Sequence, residues 1–218
     1  MTSPLPITIL GGTFDPIHYG HLRMALEIQQ ALELPSIRFV PCQQPVHKSH
    51  AHATVKQRLA MLELALQHWP TFTVDTREIT RSSPSYMIHT LRSLRQEEGP
   101  HTPLILIMGA DSFQQLHTWY EWENLLTEGH FVLTSRPGYT LPTEGPLLPL
   151  LQNNLTDNPL LLHQQPAGAI YCQPITHLDI SSSAIRSQCQ EGYNPCFLLP
   201  DRVLNYINNA QLYEKSNG

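Results

Sequence analysis

The chain has 218 residues, with 13 lysines and arginines against 18 aspartates and glutamates, so its formal net charge is −5. This length predicts one large domain, or one domain with a sizeable insertion, that can bury a core without disulfide or metal staples. Charged residues make up only 14% and hydrophobic residues 41%, which argues against a disordered chain. The acidic balance argues against a nucleic-acid partner held by a basic face.

The N-terminus and the cysteines bear on where the protein works. Residues 1–6 lack the basic start and the long apolar run of a signal peptide, and no stretch is apolar for long enough to cross a membrane. The four cysteines include no C-x-x-C pair, which favours free thiols in a reducing compartment. We therefore expect a cytoplasmic protein with no membrane partner. The sequence is compatible with a homo-oligomer and does not specify one.

Short apolar runs alternate along the chain with segments of helical periodicity. They predict strands over residues 5–10, 37–40, 72–74, 104–108, 130–134 and 169–171. Helices are predicted over residues 20–32, 55–68, 85–96, 119–126 and 201–209, and from about residue 182. Strands that are apolar throughout and separated by helices indicate a parallel sheet covered on both faces. We predict a doubly wound, Rossmann-like α/β fold with a small C-terminal helical region, and ligands beyond the carboxyl ends of the strands.

One segment departs from this alternation. Residues 137–166 hold six of the 19 prolines together with many leucines and glutamines. We expect an insertion or an irregular excursion there, within a single domain that spans residues 1–218.

The first candidate site is the run G-G-T-F-D-P-I-H-Y-G-H-L at residues 11–22, between the first strand and the first helix. Gly11 and Gly12 allow a sharp turn and the close approach of a ligand. A helix starting near Gly20 would present free N–H groups and a positive dipole end to an anion. His18 and His21, three residues apart, would point to one side and donate hydrogen bonds to phosphate oxygens.

These histidines have other possible interpretations. They could be ordinary surface residues after a glycine turn, and a zinc pair would need a third ligand, which does not stand out. The run matches neither the dinucleotide-binding fingerprint nor the P-loop. His47, His50 and His52 could bind a metal, but we favour incidental histidines on a polar loop and predict no metal site.

The second candidate site is the run I-S-S-S-A-I-R at residues 180–186, which opens a predicted helix. Such a start would place serine hydroxyls, backbone amides and a guanidinium around a phosphate. The alternative is a helix cap followed by a solvated arginine. Two such helix starts, one near each end of the chain, argue for a triphosphate held between them.

These motifs carry a resemblance to a known family. His18-Tyr19-Gly20-His21 resembles the H-x-G-H signature of the nucleotidyltransferase superfamily. The longer run and the second motif, whose family form is I-S-S-x-x-I-R, are similar to bacterial nicotinate-nucleotide adenylyltransferases. Further similar segments are P-V-H-K at 45–48, S-Y-M-I-H-T at 85–90, G-A-D at 109–111, W-Y-E at 119–121 and R-P-G at 136–138.

The resemblance implies two sets of binding residues. The ATP set comprises Gly11, Gly12, Thr13, Phe14, His18, Gly20, His21, Gly109, Asp111, Ile180, Ser181, Ser182 and Arg186. The set for nicotinate mononucleotide comprises Asp15, Lys48, Tyr86, Met87, Trp119, Tyr120 and Arg136. Met87 stands where the family has threonine, so a hydroxyl contact to the pyridine carboxylate is absent and backbone N–H groups would have to serve. Trp119 would stack on the pyridine ring, or alternatively anchor the core, and Asp15 could instead only form the turn before Pro16.

The implied reaction transfers the adenylyl group of ATP to nicotinate mononucleotide, giving deamido-NAD and pyrophosphate. His18, His21, Lys48 and Arg186 are the expected catalytic residues, with Mg²⁺ carried by ATP. The alternatives are an adenylyltransferase for nicotinamide mononucleotide or pantetheine phosphate, and a nucleotide-binding module without catalysis. A tRNA synthetase fragment is disfavoured because the Lys-Met-Ser-Lys-Ser motif is missing and the chain is acidic.

Overall fold

A seven-stranded sheet forms the centre of the molecule in the computed structural model, which describes residues 4–44, 51–135, 141–176 and 178–215. The strands are β1 (Ile7–Gly12), β2 (Ile37–Pro41), β3 (Phe72–Val74), β4 (Leu104–Gly109), β5 (His130–Ser135), β6 (Leu155–Thr156) and β7 (Ile170–Pro174). They lie in the order β3-β2-β1-β4-β5-β7-β6, and every pairing is parallel. The order reverses between β1 and β4, which creates the crevice where ligands of such sheets bind.

Helices connect the strands, as parallel pairing requires. They are α1 (Tyr19–Ala31), α2 (Val55–Leu66), α3 (Arg77–Thr80), α4 (Met87–Glu98), α5 (Ala110–Gln114), α6 (Trp122–Glu128), α7 (Leu148–Asn154), α8 (Leu161–Gln164), α9 (Ser182–Gln190) and α10 (Asp201–Asn209). A 3₁₀ turn at Leu116–Thr118 precedes α6.

Two hydrophobic cores lie on opposite faces of the sheet. Neighbouring strand residues alternate between them: Leu10 joins the core beneath α1 and α2, whereas Ile9 joins the core beneath α4 and α6. This alternation follows from the two-residue period of a strand. It confirms the predicted doubly wound fold, and the predicted helix over residues 201–209 is α10 with the same bounds.

The predicted helix over residues 119–126 is wrong at its start. The helix α6 begins at Trp122, because Glu121 has left-handed backbone angles (φ 49°, ψ 38°) that interrupt a helix. Trp119 and Tyr120 therefore lie in the turn between the 3₁₀ segment and α6.

The proline-rich region is more regular than its composition predicts. Its described residues include α7, the edge strand β6 paired with β7, and α8. Pro149 stands in the first turn of α7, where its missing N–H costs nothing. Leu151 and Leu162 are buried in the cores on the two faces of the sheet. Burial of these leucines orders the segment despite its prolines, so the expectation of an irregular excursion is wrong for the described residues of this region.

Two further observations concern the chain as a whole. The four cysteines are free thiols. None of the helices in the described ranges has the length and apolarity that a membrane span requires.

Candidate active site

The candidate site lies at the carboxyl ends of the strands, where the strand order reverses between β1 and β4. Gly12 ends β1 and Gly109 ends β4, and residues 13–18 lead from β1 into α1. Gly109 is also the N-cap of α5, and Asp111 stands exposed in the first turn of that helix. The predicted Gly109 and Asp111 thus lie at the end of the strand adjacent to β1.

Two imidazole rings lie close together at the start of α1. The His18 and His21 ring centroids are 3.8 Å apart with 32° between their planes, and the Phe14 ring meets His21 edge-on at 5.2 Å. Burial lowers the pKa of His18 to about 4, so its ring is neutral near pH 7 and carries one N–H donor. Its Nδ1 has no hydrogen-bond partner within the described ranges.

Gly20 is required by the His18 ring. A Cβ at this position would stand 2.9 Å from Cε1 and Nδ1 of His18 and 3.4 Å from the carbonyl oxygen of Ile180. A side chain here would therefore displace the imidazole. The closeness of the Ile180 carbonyl to Gly20 places the second motif, residues 180–186, beside the first.

Hydrogen bonds join the two motifs directly. The Ser182 hydroxyl donates to the carbonyl of Pro16 at 2.9 Å, and Nη1 of Arg186 donates to the carbonyl of Asp15 at 2.6 Å. Ser181 caps α9, because its hydroxyl accepts the N–H of Ala184 at 3.2 Å. The structure thus brings residues 11–21 and 180–186 into one site, as the motifs predict.

The first turn of α1 is less open than predicted. The Tyr19 N–H donates to the Leu198 carbonyl at 3.0 Å, and the His21 N–H donates to the His18 carbonyl at 3.0 Å. These two amides are not among the free N–H groups predicted at this helix start, because the chain leading into α10 satisfies one and a tight turn satisfies the other.

Asp15 binds other parts of the chain. Its Oδ1 accepts from the Tyr213 hydroxyl at 2.6 Å and from the Ala53 N–H at 3.2 Å, and its Oδ2 accepts from the His52 N–H at 2.7 Å. The residue is only 3% exposed. These contacts favour the turn-forming interpretation of Asp15 over a direct substrate contact.

Arg58, which is not among the site residues predicted from the sequence, supports the same turn. This residue of α2 is 1% exposed, and its guanidinium donates to the carbonyls of Thr13 (2.7 Å), Cys42 (2.7 Å) and Gln43 (2.9 Å). The signal was present, because Arg58 shares the buried face of α2 with Leu62, four residues later. A cation on the apolar face of a helix indicates a buried acceptor.

The predicted acceptor segment adjoins the nucleotide turn. Tyr86 is the N-cap of α4, and its ring stacks on Tyr120 with centroids 4.5 Å apart. The terminal Cε of Met87 lies 2.7 Å from where a Cβ of Gly11 would stand, so Met87 covers the end of β1. Trp119 is half-buried and packs against one of the cores, which agrees with its alternative interpretation as a core anchor and leaves stacking on a ligand a prediction.

Some predicted site residues lie outside the described residues. Lys48 and Arg136 are among them, as are His47 and His50. His52 is described, and its backbone N–H binds Asp15. The predicted roles of Lys48 and Arg136 remain predictions.

The fold and the site together define a class. The sheet is doubly wound, with paired glycines at its switch point. Two imidazoles follow at a helix start, and a second helix start lies beside them. Such an arrangement is suited to holding a nucleotide phosphate chain. This is the arrangement of a nucleotide-binding transferase of the Rossmann-like type.

Comparisons with known proteins agree with this class. Residues 9–188 match the family model described as cytidylyltransferase-like. The "Probable nicotinate-nucleotide adenylyltransferase" of Methylococcus capsulatus is 44% identical over 210 residues, which cover 96% of this chain and 100% of the relative. The nicotinate-nucleotide adenylyltransferase of Escherichia coli O6:H1 is 43% identical, over 94% of this chain and 97% of the relative.

Solved structures share the fold. The nicotinic acid mononucleotide adenylyltransferase of Plasmodium falciparum, complexed with NaAD, superposes with a TM-score of 0.71 over 96% of this chain and 97% of that chain, at 20% identity. The chain belongs to the cytidylyltransferase-like family and, within it, to the nicotinate-nucleotide adenylyltransferases.

Proposed function

We propose that this chain transfers the adenylyl group of ATP to nicotinate mononucleotide, producing deamido-NAD and pyrophosphate in NAD biosynthesis. The observation that carries the proposal is the meeting of the two phosphate-binding motifs, with Gly20 packed between the His18 ring and the Ile180 carbonyl. A triphosphate laid across this point would contact both helix starts at once.

The chemistry requires positioning more than activation. A 5′-phosphate oxygen of the mononucleotide attacks the α-phosphorus of ATP, and the bond from that phosphorus to the pyrophosphate oxygen breaks. The attacking phosphate is already an anion, so no general base is needed and catalysis reduces to alignment and charge stabilisation. We assign His18 and His21 as donors to the α- and β-phosphates. The pKa of His18, lowered by burial to about 4, makes it a neutral donor throughout the physiological range.

The second motif would hold the pyrophosphate end. Arg186 uses Nη1 for the Asp15 carbonyl, and a guanidinium has further N–H groups with which it can bind phosphate. Ser182 would turn its hydroxyl from the Pro16 carbonyl to a phosphate oxygen. Lys48 is the third group proposed for this end.

The acceptor would bind at the start of α4. This helix has 12 residues, and its N-cap residue, Tyr86, makes no side-chain capping bond, so first-turn amides can receive the pyridine carboxylate. Trp119 and Tyr120 would contact the pyridine ring, and Arg136 its phosphate. Met87 supplies no hydroxyl, so the backbone must distinguish acid from amide.

Mg²⁺ is proposed as a companion of ATP. Mg²⁺ binds ATP mainly through phosphate oxygens and water, so the protein need not supply an acidic cage for it. When bound, the cation would neutralise charge on the triphosphate.

A pyrophosphate-release assay tests the proposal. Purified protein with ATP and Mg²⁺ is offered nicotinate mononucleotide, nicotinamide mononucleotide or pantetheine phosphate in separate reactions. The highest kcat/KM is expected with nicotinate mononucleotide. Equal kcat/KM with nicotinamide mononucleotide would show that the chain with Met87 does not prefer the acid over the amide. Failure to release pyrophosphate with any acceptor would refute the proposed enzyme activity.

A further inference from the structure

Asp15 lies where four stretches of the chain meet. Its carboxylate accepts from Tyr213 and from the amides of His52 and Ala53, while its carbonyl accepts from Arg186. Asp15 precedes His18 by three residues, and residues 52–53 follow closely after the segment that contains Lys48. Asp15 therefore connects the turn before His18 with Tyr213 and residues 52–53 through its carboxylate, and with Arg186 through its backbone carbonyl.

Tyr213 completes this junction from the far end of the chain. It is 198 residues from Asp15 in sequence, only 9% exposed, and has a left-handed backbone (φ 64°), which is unusual for an aromatic residue and must be maintained by its surroundings. Burial and the neighbouring Asp15 carboxylate raise the pKa of Tyr213, so the hydroxyl keeps its proton and remains a donor.

We propose that Tyr213 is a positioning residue, whose hydroxyl holds the Asp15 carboxylate and, through it, the turn before His18 and the backbone at residues 52–53. Without this hydroxyl, a buried carboxylate would keep only two amide donors and would shift to regain a third. Such a shift moves the His52–Ala53 amides and the backbone leading to His18 together. A small displacement there is costly, because phosphoryl transfer depends on alignment.

The test compares Tyr213→Phe with Tyr206→Phe. Tyr206 is a half-buried tyrosine of α10 whose hydroxyl makes no hydrogen bond within the described part of the chain. For Tyr213→Phe, we expect kcat per folded molecule to fall about tenfold. A loss of this size corresponds to the free energy of one hydrogen bond to a charged group. The KM for ATP should rise and the KM for nicotinate mononucleotide should stay the same. The control should retain all three constants.

The kinetic arm rests on the proposed function, and a second measurement does not. Without acceptor, ATP should raise the melting temperature of the wild type and raise that of Tyr213→Phe less. If the wild type releases no pyrophosphate with any acceptor, the proposed function fails while this comparison still tests the positioning role.

Asp15→Asn provides a second variant, because it weakens the same hydrogen bond and should shift the same constants. In the double variant, the effects should be less than additive, since the two residues act through one contact. The proposal is overturned if Tyr213→Phe keeps the wild-type kinetic constants and ATP response, if Tyr206→Phe changes them equally, or if the two substitutions are additive. A lowered melting temperature with unchanged constants would leave only a structural role.

Discussion

At the scale of single residues, the site depends on how closely the His18 ring can approach the backbone at Gly20. Gly20 leaves room for the His18 ring, which in turn lies against the His21 ring. The Phe14 ring also contacts His21 edge-on, from a residue with a left-handed backbone (φ 49°). The two imidazoles are thus held in place by contacts within the protein, and the proposed reaction would not have to pay the cost of ordering them.

The contribution of His21 can be measured by substitution. We expect His21→Ala to lower kcat by roughly 10²–10³, the usual loss for one transition-state donor, with little change in melting temperature. Steady-state pyrophosphate release provides the measurement, and the exposed His68→Ala is the control. A folded His21→Ala protein with wild-type turnover would remove this residue from the chemistry.

Trp119 is proposed to contact only one of the two substrates. Trp119→Ala should raise the KM for nicotinate mononucleotide roughly tenfold or more, as expected for the loss of one ring-stacking contact, and should leave the KM for ATP nearly unchanged. Trp69→Ala, at a tryptophan that stacks on Phe72, controls for the loss of an indole elsewhere. Equal changes in both KM values would indicate the core-anchor role instead.

At the scale of elements, arginine and histidine side chains bind backbone groups at both ends of the strands. At the carboxyl edge, Arg58 ties α2 to the ends of β1 and β2. At the opposite edge, Arg95 of α4 donates to the carbonyls of Thr102, Glu128 and Pro166, and His130 at the start of β5 is completely buried. Buried backbone carbonyls need donors, and these side chains provide them where the strands end.

Arg58→Lys tests the first of these junctions. Lysine keeps the charge but lacks the planar fork that reaches three carbonyls, so we expect the free energy of unfolding to fall by about 3 kcal/mol, the cost of breaking a buried charged network. Denaturant titration followed by circular dichroism measures it. The exposed Arg202→Lys should change stability little, and an equally small change for Arg58→Lys would contradict the prediction.

His130 predicts acid sensitivity of the fold. Its Nε2 donates to the Gln165 carbonyl and its Nδ1 accepts the Ala169 N–H, so the buried ring is neutral, and burial lowers its pKa. A lowered pKa in the folded state means that the unfolded chain binds more protons as the pH falls below about 6.5. Stability from this group is therefore present above that pH and lost below it.

Denaturant midpoints at pH 7.5 and 5.5 measure the effect. The free energy of unfolding should fall with the pH, and His18, whose pKa is lowered to about 4, should alone contribute about 1 kcal/mol of that fall. His130→Gln should reduce the pH dependence, whereas the exposed His68→Gln should not. An unchanged pH dependence in His130→Gln would show that this imidazole does not titrate on unfolding.

At the scale of the whole molecule, one sheet joins all parts of the chain. The proline-rich region contributes its edge strand β6, and α9 and α10 pack on the same core as α1 and α2. The contact of Tyr213 with Asp15 links the C-terminal segment to the first strand–helix connection. A molecule held together in this way should unfold as a unit.

Calorimetry tests that expectation. The full chain should show a single thermal transition, with equal calorimetric and van't Hoff enthalpies, as for one cooperative domain. ATP should move the whole transition to higher temperature, because it binds only the folded state. Two separable transitions, of which ATP moves only one, would instead indicate that the chain contains two independent units.

Local patterns predicted most of the elements for a physical reason. Strand burial and helix amphipathicity recur at short, regular spacings, so residues 37–40, 72–74 and 201–209 could be located from their own composition. The start of α6 could not, because the left-handed Glu121 depends on packing around it. The regular structure within residues 137–166 likewise could not be located from local patterns, because β6 forms by pairing with β7 at the edge of the sheet.

The same division runs through the site. The motifs at residues 11–21 and 180–186 could be recognised in the sequence, since turn glycines, helix starts and the spacing of His18 and His21 are local properties. The bond between Asp15 and Tyr213 and the three carbonyls bound by Arg58 became visible only in the folded chain. A backbone carbonyl carries no sequence signature, and a contact across 198 residues exists only after the strand order has brought both ends of the chain to the same edge of the sheet.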